Sequence, residues 1–153
     1  MTAEFVQVTI LPVSPQRAFE LSLSVEAHLR SMARSRERAV GAVTSGTLTL
    51  DDEVTWRAWH FGVPWTMTSR ITEYDPPHRF VDEQVRGPFR AFRHEHLFTE
   101  SGDGTVMTDR MTFTAPFGVL GRVTERVVLR RYLAHLIGAR NRYLSAATAR
   151  AAG

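Results

Sequence analysis

The chain has 153 residues and a formal net charge of +3, which fits one domain with the ordinary composition of a folded globular protein. It contains neither cysteine nor lysine, which excludes disulfides, thiolate nucleophiles and Schiff-base chemistry. No apolar run approaches the roughly 20 residues that cross a bilayer, and the amino terminus carries no basic leader. We therefore expect a single domain over residues 1–153 that lies in the cytoplasm and has no stable membrane association.

Two clusters of arginine, at residues 30–38 and 122–131, raise the question of nucleic-acid binding. Acidic residues interrupt both clusters, and no nucleic-acid motif accompanies them. The clusters are typical of solvated helix faces, so no nucleic-acid partner is predicted.

The first predicted element is a strand with the sequence EFVQVTIL, in which Val6, Val8 and Ile10 lie on one side. Ser14 followed by Pro15 predicts the N-cap and the first residue of a short helix that runs through Leu21. Ser24 then caps a second predicted helix over residues 25–33.

A long run of strands follows the two helices. Short segments rich in Thr, Val, Phe and Trp alternate with turn signals, which predicts an antiparallel meander of about six strands. The turn signals are Asp51-Asp52, Gly62-Val63-Pro64, Asp75-Pro76-Pro77, Gly87-Pro88 and Ser101-Gly102-Asp103-Gly104.

Beyond Pro116 and Gly118 the sequence predicts one long helix over residues 120–149. Its apolar stripe consists of Val123, Val127, Leu133, Leu136, Ile137 and Leu144. This order of elements predicts an α+β fold in which a curled antiparallel sheet wraps around the long C-terminal helix, with two short helices between the first two strands. A curled sheet that grips a helix leaves space between the two.

The positions of the turns predict which residues of the hairpin strands share a face. They imply the facing pairs 84–92, 82–94, 98–107 and 96–109. The predicted inner face consists of Trp65, Met67, Ile71, Phe80, Asp82, Gln84, Phe92, His94, His96, Phe98, Met107, Asp109, Met111 and Phe113. The opposite face, predicted to be solvated, carries Thr66, Thr68, Arg70, Thr72, Glu83, Arg93, Glu95, Thr108, Arg110 and Thr112.

Five polar side chains therefore lie on an aromatic and Met-rich face. A buried charge is tolerated only when it is paired or hydrogen-bonded, and the predicted register sets Asp82 opposite His94 and His96 opposite Asp109, with Cβ atoms about 5 Å apart. In one interpretation these are structural pairs that hold the strands in register. In another, they orient the polar end of a ligand in a pocket that is otherwise apolar.

Two further interpretations concern chemistry. His94 or His96 could act as a general base or acid tuned by Asp82 or Asp109. Two histidines spaced as His-x-His, with an acid, could also hold zinc or iron. A lone His-x-His is weak evidence, so no metal and no other cofactor is predicted.

His60, in the segment TWRAWHFG, is a further candidate. It joins the inner face if Trp56 and Ala58 point inward, but Trp59 and Phe61 compete with them for burial. The alternation alone leaves this choice open.

Three segments carry a family resemblance: TWRAWHFG, SRITEYDPPHRFVDEQVRGPFRAFRHEHLF and GTVMTDRMTFTAPFG. They resemble bacterial SRPBCC proteins, which belong to the START-like, Bet v 1-like superfamily with the helix-grip fold and include proteins described as polyketide cyclase/dehydrase-like. The resemblance covers nearly the whole chain. It implies a deep cavity between a seven-stranded sheet and the C-terminal helix, which binds lipids, polyketides or other apolar molecules.

Some relatives in that superfamily are cyclases or dehydratases, but no catalytic set maps onto His94, His96, Asp82 and Asp109. We expect binding of a small, largely apolar molecule, with a cyclase or dehydratase as the alternative. The expected ligand-binding residues are Trp56, His60, Trp65, Met67, Ile71, Phe80, Asp82, Gln84, Phe92, His94, His96, Phe98, Met107, Asp109, Met111, Phe113, Leu133, Leu136 and Ile137. The loop at residues 116–121 is a candidate gate, and a homodimer is an open alternative.

Overall fold

Both short helices begin at the predicted serine caps. In the computed structural model, which describes residues 2–115 and 122–152, the Ser14 side chain accepts a hydrogen bond from the backbone N–H of Arg17, and Ser24 accepts one from Ala27. Helix α1 spans Pro15–Ser22 and α2 spans Val25–Ser31. The second helix ends two residues earlier than predicted, because a 3-10 turn at Ala33–Ser35 follows it. The candidate gate, residues 116–121, lies outside the described residues.

Seven antiparallel strands form one sheet in the order β1-β7-β6-β5-β4-β3-β2. The strands are β1 (Thr2–Leu11), β2 (Arg38–Ala42), β3 (Glu53–His60), β4 (Val63–Asp75), β5 (Arg79–Arg86), β6 (Ala91–Ser101) and β7 (Gly104–Thr114). The long helix α3 spans Arg122–Ala152 and completes the helix-grip fold. The predicted α+β architecture is confirmed, although Val63 and Pro64, predicted to lie in a turn, belong to β4.

The register of the central hairpins agrees with the turn positions. Asp82 faces His94 across β5 and β6, and β6 pairs with β7 so that 96 faces 109 and 98 faces 107. The predicted pair 84–92 lies one step beyond the last pair of its ladder, Glu83 with Arg93. Because side chains alternate across a strand, this register puts the predicted inner set on one face.

Helix α3 packs along β1, one of the two edge strands of the sheet. Arg130 donates to the backbone carbonyl of Glu4, and Ser145 to that of Ile10, so the helix covers carbonyls that an edge strand would otherwise expose. Ile137 and Leu144 of the predicted stripe are buried. Val127 is 46% exposed and does not belong to the buried stripe, while the side chain of Val123 lies outside the described part of the chain.

The outer face of the sheet is less solvated than predicted. Glu95 lies on that face but is only 7% exposed, because three arginines lie around its carboxylate. Arg79 Nη2 is 2.7 Å and Arg110 Nη1 is 3.0 Å from the nearer carboxylate oxygen. Thr68 is buried as well. Hence an ion-pair cluster, rather than free charges, covers the middle of the outer face.

Phe19 of α1 fills the end of the inner face next to β5 and β6. Its ring centroid lies 5.5 Å from those of Tyr74, Phe80 and Phe98, all at edge-to-face angles. Phe19 is buried and belongs to the larger of the two apolar clusters. Phe19 therefore attaches the short helix to the sheet, together with the buried Ala18 of the same cluster.

We expect Phe19→Ala to lower the free energy of unfolding by about 3–5 kcal/mol, because it leaves a cavity among three rings. Urea denaturation followed by circular dichroism measures this, with an unchanged m-value if both states keep their compactness. Val8→Ala is the control, because Val8 is exposed on the edge strand and its removal should cost less than about 1 kcal/mol. Similar losses for both variants would contradict the role given to Phe19.

Candidate functional site

A cavity of about 180 Å³ lies between the inner face of the sheet, the two short helices and α3. This is more than ten times the roughly 10–15 Å³ that a single water needs. Its walls are mostly apolar and aromatic, with a few polar side chains that point into it. Such a composition is typical of small-molecule sites.

Most of the residues predicted from sequence line this cavity. They come from all the strands between β3 and β7 and from α3. The predicted residues found in the lining are Trp56, His60, Trp65, Met67, Ile71, Phe80, Asp82, Phe92, His94, His96, Met111, Leu133, Leu136 and Ile137.

Five predicted residues do not line the cavity. Phe98 and Met107 are packed in the larger apolar cluster, and Phe113 in the smaller one. Gln84 braces the turn after β5, since its amide donates to the carbonyl of Phe89 and accepts from the N–H of the same residue. Asp109 lies behind the lining, where it is fully buried.

The open question about His60 is answered by the strand alternation. Trp56 and Ala58 are buried and line the cavity with His60, whereas Trp59 is 47% exposed and does not line it. Phe61 follows the strand, is 58% exposed and borders the cavity. His60 Nδ1 lies 2.6 Å from the hydroxyl of Tyr132 on α3. This contact joins β3 to the helix at one side of the cavity.

The histidines and aspartates form one network, but their pairing is diagonal. His94 Nε2 donates to Asp109 Oδ1 at 2.8 Å, and His96 Nε2 donates to Asp82 Oδ2 at 2.8 Å. On β7 the residue directly opposite His94 is Met111, and Asp109 lies two residues away from it. On β5 the residue directly opposite His96 is Phe80, and Asp82 lies two residues away from it. The two imidazole rings are in contact, with centroids 3.7 Å apart and planes tilted by 30°. The predicted residues meet, but the predicted opposite pairs are not the hydrogen-bonded ones.

Asp109 is the centre of the network. Besides the bond from His94, it accepts a hydrogen bond from Asn141 Nδ2 of α3 at 2.7 Å. His96 Nδ1 lies 3.1 Å from Asp109 Oδ1, but without the alignment of a hydrogen bond, and no other acceptor within residues 2–115 and 122–152 pairs with it. Arg140 Nη1 is 3.6 Å from the same oxygen. One carboxylate therefore connects β6 and β7 with the helix.

Burial and charge shift the pKa values of these groups in different directions. Burial alone would raise the pKa of Asp109, but the hydrogen bond with His94 and the close imidazole of His96 outweigh it and hold this pKa well below its ordinary range. Burial likewise acts to raise the pKa of Asp82, and its bond with His96 reverses the effect. Both acids are therefore ionised at neutral pH.

The two histidines differ from each other. Burial and the neighbouring charge of His96 lower the pKa of His94, despite its bond to Asp109. Burial also acts against a charge on His96, but contacts with Asp109 and Asp82 overcome it and raise the pKa of His96. Of two imidazoles side by side on the cavity wall, His96 therefore holds a proton more strongly than His94.

A second polar group lines another part of the cavity and was not predicted. His28 Nε2 lies 2.7 Å from Glu37 Oε1, and the His28 ring contacts the ring of Trp56 with centroids 4.2 Å apart. His28 and Tyr132 were missed because they occupy helix positions whose facing depends on tertiary packing. Arg140 was also missed, although its spacing from Ile137 places it in the apolar stripe of α3.

Asp82, His94 and His96 could hold a metal ion, since one ligand atom of each lies within 4.8 Å of the others. An ion would have to displace the hydrogen bonds that both Nε2 atoms already donate to carboxylates. The nearby positive charge of Arg140 also opposes a cation. The donors therefore suit a hydrogen-bonded ion network better than a metal.

The opposite pKa shifts predict a stability maximum near pH 6.5, the ordinary pKa of histidine. Between the lowered folded pKa of His94 and 6.5, the unfolded state binds a proton at His94 and the folded state does not, so the free energy of unfolding rises with pH. Above it, the folded state keeps a proton on His96 that the unfolded state loses, so stability falls as pH rises through the folded pKa. The contribution of Asp82 and Asp109 to the free energy of unfolding is fully present above their ordinary pKa of 3.8. It is lost as pH falls through their folded pKa values.

Urea denaturation between pH 4.5 and 8.5 measures the stability curve, and imidazole ¹⁵N NMR assigns the two titrations. We expect His94 to titrate below 6.5 and His96 above it. Asp82→Asn is the matched variant, because it removes the acceptor of His96 Nε2 and should lower the pKa of His96. Titration of both rings on the same side of 6.5 would contradict this description of the network.

Comparisons with known proteins come from sequence and from structure. The family described as polyketide cyclase / dehydrase and lipid transport matches residues 2–147. Among curated proteins none matches this chain. Similar solved structures include the protein TTHA0849 of Thermus thermophilus, at 15% identity over all of both chains with a TM-score of 0.77.

Two aromatase/cyclases are also similar. The Zhui aromatase/cyclase of Streptomyces sp. R1128 is 12% identical over 100% of this chain and 97% of its own, with a TM-score of 0.79. The di-domain StfQ of the steffimycin biosynthetic pathway is 17% identical over 100% of this chain and 52% of its own, with a TM-score of 0.78. Identities this low show a shared fold and no more. Because the family match covers almost the whole sequence, the chain belongs to the polyketide cyclase / dehydrase and lipid transport family.

Proposed function

We propose that this chain binds a small, largely apolar molecule in the cavity between the sheet and α3. The observation that carries the proposal is the cavity itself, with aromatic and aliphatic walls and a few polar groups that converge on it. A purely structural core would be filled by side chains to crystal-like density. Family membership supports the same interpretation, because its description includes lipid transport.

The proposal assigns separate roles to the lining. Trp56, Trp65, Met67, Ile71 and Phe92 form the apolar wall on the sheet side. Leu133, Leu136 and Ile137 close the cavity from the helix side. The polar groups Asp82, His94, His96 and His60 orient the ligand.

No helix in the described ranges is long and apolar enough to cross a membrane. We propose a cytoplasmic protein whose main partner is the small molecule. A homodimer stays a prediction that size-exclusion chromatography with light scattering would test.

Filling the cavity should abolish binding. Ala58 is buried in the lining, so Ala58→Phe places a ring where the ligand would lie. The neutral dye N-phenyl-1-naphthylamine, whose fluorescence rises in apolar surroundings, should bind the wild type and bind the variant at least about tenfold more weakly. Ala91→Phe is the matched control, because Ala91 is exposed at the start of β6 and does not line the cavity.

Native mass spectrometry of gently purified protein, compared with the denatured mass, then searches for a retained natural ligand. Absence of dye binding to the wild type, together with a mass equal to that of the bare chain, would contradict the proposed function. Equal dye binding by wild type and Ala58→Phe would show that the dye binds elsewhere.

The second candidate function is a cyclase or dehydratase. The specific observation in its favour is the pair of adjacent histidines with opposite pKa shifts, both on the cavity wall. Neutral His94 could take a proton from a carbon next to a carbonyl, and protonated His96 could give one to a departing hydroxyl, so that water leaves and a double bond forms.

The two functions differ in what mutation does. In a binding protein His94→Ala and His96→Ala should weaken ligand affinity only modestly. In an enzyme each should reduce turnover by roughly 10²–10⁴-fold while affinity is mostly kept. A panel of β-hydroxy ketones, followed by mass spectrometry for the loss of one water, provides the readout. No product above the uncatalysed level with the wild type would exclude dehydration of that panel.

A further inference from the structure

Arg140 is a buried cation that faces the proposed binding cavity. It is only 4% exposed and belongs to the cavity lining. On α3 it lies three residues after Ile137 and four before Leu144, which puts it within the apolar stripe rather than on the solvated side. Arginine is almost never fully buried unless it is paired.

The partners of Arg140 within the described chain are all distant. Nη1 donates to Asn141 Oδ1 at 3.3 Å, and Nη2 donates to the backbone carbonyl of Ser22 at 3.4 Å. Its contact with Asp109 is 3.6 Å. Charge-assisted N–H···O bonds are normally about 2.7–2.9 Å, and a guanidinium has five N–H donors. Its hydrogen-bonding capacity is therefore largely unused.

Neither nearby acid forms a close pair with Arg140 in the described part of the chain. Asp109 already accepts from His94 Nε2 and Asn141 Nδ2, and it contacts His96 Nδ1. Asp82 accepts from His96 Nε2. The planar guanidinium fork thus has no bidentate acceptor among these carboxylates, although it is suited to one.

Two acids, Asp82 and Glu37, line the same cavity as Arg140, and each has a histidine partner. Asp82 lines the cavity, but His96 Nε2 lies 2.8 Å from its carboxylate and donates a hydrogen bond to it, and the raised pKa of His96 favours a compensating charge there. Glu37, which also lines the cavity, pairs with His28. Arg140 also faces the cavity, but its nearest carboxylate, that of Asp109, already contacts His94, His96 and Asn141.

Resting on the proposed function, we infer that the ligand is an amphipathic acid whose oxyanion, a carboxylate in the simplest case, binds the Arg140 guanidinium. Its apolar body extends along α3 toward Tyr132. These two helix residues are eight positions apart, which corresponds to about 12 Å along the axis. A medium-length acyl chain or a two-ring aromatic acid has this form.

The test compares an acid with an alcohol of the same length. Decanoate and 1-decanol each displace N-phenyl-1-naphthylamine, which carries no charge and so reports on the cavity alone. For the wild type at pH 7.5 we expect decanoate to bind about tenfold more tightly than 1-decanol. Arg140→Gln should remove this preference while dye binding remains. Arg142→Gln is the matched control, because Arg142 is exposed on the same helix and should keep the preference.

A second measurement does not depend on the variant's folding. In wild-type protein the guanidinium ¹⁵Nε–¹H resonance of Arg140, assigned in the spectrum, should shift on addition of decanoate but not of 1-decanol. Equal affinities of the acid and the alcohol for the wild type, or a preference that survives in folded Arg140→Gln, would overturn the inference and leave apolar binding intact. Failure of the dye, the acid and the alcohol to bind would instead overturn the proposed function.

Discussion

The ionised carboxylate of Asp109 is the constraint around which the rest of the structure is arranged. It is fully buried on the inner face of β7, between Met107 and Met111, where an unpaired charge would cost several kcal/mol. Its hydrogen bonds from His94 and Asn141 offset that cost. Because these partners belong to β6 and α3, the charge can be satisfied only when strand and helix are correctly placed.

The same requirement makes the register specific. A shift of β6 by one residue would move His94 and His96 to the outer face. It would take the histidine partners away from Asp82 and Asp109, and it would remove the stack of His96 on Phe80. The apolar residues of the inner face favour the same register. The network therefore adds selectivity to a sheet that hydrophobic burial already stabilises, and it attaches the middle of α3 to the sheet beside the cavity.

Much of the fold follows from local sequence signals. Turn residues at regular spacing predict the order and direction of the strands, and Ser14 and Ser24 mark the helix starts because a serine oxygen satisfies a free N–H. The period of two then places His94, His96, Asp82 and Asp109 on one face. These rules depend on covalent geometry and neighbours in sequence, so they can be applied without knowing the packing.

Other features of the site depend on packing that sequence rules do not reach. The diagonal pairing of histidines and acids is decided by rotamers, since a facing pair and its diagonal neighbours lie within reach of one another. Arg140 is one of many arginines on α3, and its burial depends on which side of the helix meets the sheet. Glu95 shows the converse, because a surface acid becomes buried when long arginine side chains lie over it.

The structural and functional interpretations of the polar network are compatible, because its members lie at different depths. Asp109 and Asn141 are buried behind the cavity, whereas Asp82, His94, His96 and Arg140 line it. Apolar side chains of similar volume often replace a buried ion network at equal or better stability, so stability alone is a weak reason for charges on a cavity wall. They are useful there if the molecule that enters has a polar end to match. A cation with unused donors, on the same cavity wall as two imidazoles, is suited to an oxygen acceptor and far less to a hydrocarbon.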